Sequence, residues 1–131
     1  MNLFRFTHRA PRGAAACRSV DARMDPTELP AAISASALEG RCAQCAEALD
    51  MFVAAYGSEA GNLALRSVAT AGVYIGGGIA PKILTALTSG AFMRAFVAKP
   101  PLDEMLKTMP VKIILNPDAA LLGAAVFAAG R

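Results

Sequence analysis

The sequence predicts an α/β fold, mostly helical with a few parallel strands. Two short β-rich runs carry that reading. Val73-Tyr74-Ile75 leads directly into Gly76-Gly77-Gly78 and a helical stretch. Val111-Lys112-Ile113-Ile114-Leu115 leads into Asn116-Pro117-Asp118, a strong helix-start signal. Helical segments lie before, between and after the two runs. That order fits a parallel pair of strands joined by a right-handed crossover.

The elements follow in order. Asp25-Pro26-Thr27-Glu28 reads as a helix start or a turn, because Asp can cap and Pro can take the first helical position. Apolar residues then recur at Leu38, Cys42, Cys45, Leu49, Phe52, Val53 and Tyr56, and continue through Ala60 and Leu63. Steps of three and four mark one helical face, so the spacing predicts one long helix, or two in tandem, over 34–65. After the glycine run, Pro81 stands near the first turn of a helix through Leu87, ended by Ser89-Gly90. Phe92 and Phe96, four apart, mark a short helix over 91–97. Pro100-Pro101 breaks the chain, and residues 102–109 form a short amphipathic helix. Residues 119–129 (AALLGAAVFAA) read as a buried helix of small residues.

The chain has 131 residues, which is one domain at most. With 55% hydrophobic residues but only 2 Tyr, 6 Phe and no Trp, the core rests on aliphatic side chains and Ala. The mean hydropathy of +0.43 raises the membrane question. No uncharged run reaches the ~20 apolar residues of a spanning helix without glycine interruptions, so a membrane span is not expected. The net charge of +3 is uneven: Arg5, Arg9, Arg12 and Arg18 fall in the first 20 residues, which hold no acid. The rest carries no basic stripe with interleaved aromatics, which excludes nucleic-acid binding as an expectation. The opening segment, residues 1–24, is read as a basic, disordered leader unmatched to the rest of the chain's pattern. Its Arg-rich, acid-free composition loosely resembles an organellar transit peptide, but Pro11 and Gly13 interrupt any amphipathic helix. The body then spans 25–131. Three cysteines are an odd number, which argues against a disulfide framework and for a reducing, cytoplasmic compartment.

The glycine turn is the most informative chemical feature. Glycine admits positive φ and lets a ligand approach the backbone, and a strand–glycine–helix unit suits a nucleotide. The same turn also serves as a tight connection that binds nothing. It is neither a P-loop nor GxGxxG. Cys42 and Cys45 form a CxxC, but Cys17 and the only histidine, His8, belong to the leader, so no metal site is expected. Both cysteines fall on the apolar stripe and read as core residues. Glu47 and Asp50 look solvated, Glu59 lies near a helix junction, Asp103 and Glu104 sit on an exposed helix, and Asp118 serves the helix start. No catalytic residue emerges from these.

Several blocks carry a family resemblance: residues 39–52 (EGRCAQCAEALDMF), 56–65 (YGSEAGNLAL), 72–82 (GVYIGGGIAPK), 92–96 (FMRAF), Pro110-Val111-Lys112, and 116–125 (NPDAALLGAA). Together they resemble the C-terminal portion of bacterial glucokinases, in the hexokinase–actin superfamily of ATPases. The resemblance implies a partial ribonuclease-H-like lobe. It implies ATP-dependent phosphorylation of glucose to glucose 6-phosphate in glycolysis, with ATP and Mg2+ as cofactors. It places Gly76, Gly77 and Gly78 at the family's adenosine motif. The family's phosphate-binding Asp-x-Gly-Gly-Thr, its catalytic Asp and its glucose-binding residues have no counterpart in these 131 residues. The expectation is therefore a truncated glucokinase-family chain that is inactive alone. The alternative is a non-catalytic nucleotide-binding or dimerisation module that pairs as a homodimer or with a full-length relative.

Overall fold

The computed structural model describes residues 2–8, 17, 19–20 and 24–130. Part of the segment expected to be a disordered leader lies outside the described residues. Within it, Asn2–Thr7 form a helix, α1, packed against a later helix.

Helix α2 spans Leu29–Leu38. Asp25 does not cap it. Its Oδ1 accepts hydrogen bonds from the Thr27 backbone N–H (2.8 Å) and hydroxyl (2.6 Å), which closes a turn before the helix. Those bonds hold the Asp25 carboxyl below its ordinary value. Pro30 lies in the first turn, where its missing N–H costs nothing. The chain breaks at Gly40, whose φ of +68° favours glycine, and restarts as α3, Ala43–Ser67. The tandem form of the predicted helix is thus the one that occurs. Helix α3 ends in a Schellman arrangement: Ala69 N–H donates to the Ala64 carbonyl (3.0 Å) and Val68 N–H to that of Leu65 (3.2 Å).

Strands β1 (Val73–Ile75) and β2 (Val111–Ile113) pair in parallel, with Val73 opposite Val111 and Ile75 opposite Ile113. Between them run a 3-10 turn (Ala80–Ile83) and helices α4 (Leu84–Thr88), α5 (Ala91–Val97) and α6 (Asp103–Lys107). Helix α7 (Ala119–Ala128) follows β2.

The core lies where α3 meets α5. Phe96, Leu106 and Val53 are fully buried, with Ile75, Ile83 and Leu87 around them. Tyr56 meets Phe92 edge-on, with centroids 5.7 Å apart. The buried face of α3 is not quite the one the large apolar residues marked. Phe52 and Leu63 are exposed, whereas Gly57, Ala60, Gly61 and Ala64 are buried. The reason is close backbone approach. A Cβ on Gly57 or Gly61 would strike the carbonyl oxygen of Phe92 or Phe96. Small side chains draw α5 in, and the bulky ones rotate outward. Lys99 Nζ donates to Ser58 Oγ (2.7 Å), tying the chain beyond α5 to the same helix.

Helix α7 corrects an expectation. Its composition reads as buried, yet it has no buried residue, and Leu121 and Phe127 are 72% and 87% exposed. Among the described residues, no element packs its apolar surface. An all-round apolar helix is buried only where a partner surface exists.

Candidate functional site

The glycine turn leaves β1 after Ile75, which is buried and fixed at the sheet; its carbonyl accepts from Ile114 N–H at 2.9 Å. Gly76, Gly77 and Gly78 are all exposed. Gly77 has φ +101°, a conformation L side chains rarely adopt, so the turn requires glycine there. Gly77 and Gly78 face open space, the condition for a ligand to lie against the backbone. The turn does not enter a regular helix directly. It passes through the 3-10 segment with Pro81, and α4 beyond is only five residues long. A helix-dipole cradle for phosphate is therefore not built here.

Beside the turn opens a cavity of about 510 Å³, within the usual range of small-molecule pockets (about 300–1,000 Å³). Helices α1, α2 and α3 supply Phe4, Ile33, Leu49 and Phe52, and the glycine turn supplies Gly78 and Ile79. Thr27, Ser34 and Lys82 add the polar atoms. Such a wall suits the flat apolar face of a nucleobase, with one ammonium at the rim. No carboxylate lines it among the described residues. Mg2+ asks for hard oxygen ligands, so these residues do not fit that ion, and no step is routed through it.

Of the remaining acids, Glu59, expected near a helix junction, instead lies inside α3, and Asp118 stands at the start of α7 without a side-chain cap bond. Glu47 and Asp50 are exposed on α3. Glu59 accepts from Asn62 Nδ2 (3.0 Å). Lys107 pairs with Glu104 (2.6 Å) and Asp103 (3.7 Å), which raises the exposed Lys107 ammonium above its ordinary value. Asn116 Oδ1 accepts from Asp118 N–H (2.9 Å) ahead of α7. None of these acids faces the cavity.

Cys42 and Cys45 are both buried, as the apolar stripe implies. Cys17 comes to them across 28 residues, with its Sγ 3.7 Å from that of Cys45. Burial pushes the Cys17 thiol up, but hydrogen bonds from Ser19, Cys42 and His8 outweigh it and bring it to about 6. Burial and the facing Cys42 and Cys17 push Cys45 up to about 12. Among the described residues, no helix is long and apolar enough to cross a membrane.

Comparison with known proteins points to one family. The family model for glucokinase matches residues 1–131. The chain is 44% identical over 112 residues to a glucokinase of Synechocystis, covering 86% of this chain and 32% of that protein. It is 48% identical over 99 residues to one of Nostoc punctiforme, covering 76% of this chain and 29% of that protein. It is 42% identical over 113 residues to one of Mesorhizobium japonicum, covering 86% and 33%. The chain thus spans about a third of the length of the curated relatives it matches, consistent with a C-terminal portion. A mostly helical chain with a small parallel sheet is the expected form of a partial α/β lobe of that kind. From the family match and from the conjunction of glycine turn, following helix and parallel strand pair, the chain belongs to the glucokinase family.

Proposed function

We propose that this chain is the adenosine-side portion of a glucokinase-family phosphotransferase, the class that transfers the terminal phosphoryl group of ATP to glucose. The observation that carries the reading is the open glycine turn beside an apolar cavity with Lys82 at its rim. Gly76, Gly77 and Gly78 lie along the nucleotide's adenosine part. The cavity walls exclude water from the base. Lys82 offers a positive charge toward the phosphates.

Phosphoryl transfer is mostly positioning and charge stabilisation. It needs phosphate, metal and sugar hydroxyl held together. The 131 residues hold no Asp-x-Gly-Gly-Thr. The chain on its own therefore binds nucleotide weakly and does not turn over.

Gly78 provides a clean test, because a Cβ there meets nothing within 4 Å and the fold tolerates one. Adenosine and ATP are titrated calorimetrically into the wild-type chain and into Gly78→Leu, and both are run in a coupled glucose-phosphorylation assay. The expected outcome is weak, mutually competitive binding that Gly78→Leu reduces by at least about tenfold, roughly 1.4 kcal/mol, with no glucose 6-phosphate above background. Binding that ignores Gly78→Leu overturns the site. Turnover by the pure chain overturns the half-site reading.

A second reading is a non-catalytic dimerisation module. The face of α3 is already taken by α5, α2 and α1. The exposed apolar surface of α7 is what favours it.

A further inference from the structure

His8, Cys17, Cys42 and Cys45 come together at one point, their ligand atoms all within 4.8 Å of one another. They reach it from three parts of the chain: the end of α1, the segment around Cys17, and the start of α3. We propose that these four residues form a tetrahedral metal site of the three-thiolate, one-imidazole type, for Zn2+, which anchors α1 and the Cys17 segment to the start of α3.

Two of the six edges match that geometry, and all lie within 4.8 Å. Tetrahedral zinc with bonds of ~2.3 Å to sulfur and ~2.05 Å to nitrogen requires ligand–ligand edges of about 3.8 Å for S···S and about 3.6 Å for S···N. Cys17 Sγ lies 3.7 Å from Cys45 Sγ, and Cys42 Sγ lies 3.6 Å from His8 Nε2. The sulfurs are far beyond the ~2.05 Å of a disulfide.

The imidazole is oriented for ligation. His8 Nδ1 lies 2.8 Å from the Phe4 carbonyl oxygen, which can only accept, so Nδ1 carries the proton. Nε2 then presents its lone pair to the cluster. A ligating histidine is commonly held through its other nitrogen in this way. The ring also lies against Phe4, with centroids 4.0 Å apart. Cys42 occupies the N-cap position of α3, without a side-chain cap bond, and Cys45 stands three residues on, so one helix start supplies two of the four ligands.

Polar atoms surround the cluster. Ser19 Oγ lies 3.4 Å from Cys17 Sγ and 2.6 Å from Oγ of the fully buried Ser36. Gln44 Oε1 lies 3.3 Å from Cys42 Sγ. Soft thiolates with one imidazole select zinc over hard cations. Binding displaces to solvent the thiol protons still held by the ligands, and the metal takes their place.

The test uses the full 131-residue chain, stripped with a chelator and kept reduced and anaerobic. Co2+ is titrated in as the spectroscopic probe. One equivalent is expected to give the intense visible bands of tetrahedral cobalt with a near-ultraviolet thiolate-to-cobalt band. Zn2+ then displaces it, and thiol reactivity falls. Saturating Zn2+ is expected to raise the melting temperature by roughly 10 °C. His8→Ala and Cys17→Ser lie outside the main core and leave α3 intact by circular dichroism. Each is expected to weaken Co2+ binding by at least about 100-fold. Folded wild-type chain without tetrahedral cobalt bands overturns the site. So do bands that both variants leave unchanged, since Cys42 and Cys45 alone would then account for them. Nucleotide binding is read separately, so loss of one site does not imply loss of the other.

Discussion

Helix α3 and helix α7 are built from the same kind of residue and meet opposite fates. Both are rich in Ala, Leu and Gly. In α3, Gly57 and Gly61 stand one turn apart and let the backbone of α5 approach until no Cβ fits between them. In α7, Gly123 meets nothing within 4 Å, and neither do its neighbours find a core. Small residues are therefore not packing elements in themselves. They stabilise only where a partner backbone takes the space they leave, and elsewhere they lower helix propensity. The lesson for this chain is that its fold is held around α3, while α7 carries apolar surface that no element covers among the described residues.

Substitutions can break or sharpen that contrast. The largest effect is expected at Phe96, fully buried against α3. Phe96→Ala should cost about 3–5 kcal/mol and abolish a cooperative urea transition. Unchanged unfolding would remove the α3–α5 interface as the centre of the fold. Next is Gly61→Ala. Helix propensity alone favours it by up to ~1 kcal/mol, but the new methyl meets the Phe96 carbonyl. The clash dominates, and a net loss of about 1–3 kcal/mol is expected in thermal melts. A raised melting temperature would show that the helices do not approach so closely. The smallest effect belongs to Gly123→Ala, where propensity acts unopposed. It should stabilise α7 by up to ~1 kcal/mol, seen as slower amide exchange within α7 and no change in global unfolding. A global loss would mean that α7 is packed after all.

The backbone plan was largely legible in the residues. Val73–Ile75 with its three glycines, the short helix over 91–97 and the β-branched run from Val111 all carry local signals, and each forms where its signal lies. The break near Gly40 was legible as one of two options, and its φ decides it. Burial was less legible, because it depends on partners rather than on composition. Phe52 and Leu63 lost their places on the buried face to glycines, since backbone approach outweighed side-chain size. Residues 119–129 look like a core helix and are exposed for want of a facing surface. The glycine turn was visible as a motif, while the cavity beside it was not, because α1 and α2 wall it from distant positions. The thiol–imidazole cluster had no local signal beyond Cys42 and Cys45. His8 joins them because α1 packs on α3, and Cys17 because its side chain packs against the small core around Cys42 and Cys45.

The parallel pairing of Val73 with Val111 makes the sheet a long-range closure. No tight turn can bring such strands together, so the whole segment of α4, α5 and α6 must be reeled in before the first ladder bond forms. Helices α3 and α5 meet across a similar length of chain, with Gly57 on Phe92 and Gly61 on Phe96, so the helix pair and the sheet enclose connecting segments of nearly the same length. Neither contact is local, and the expected outcome is slower folding than in a helical bundle joined by short loops, read by stopped-flow refolding.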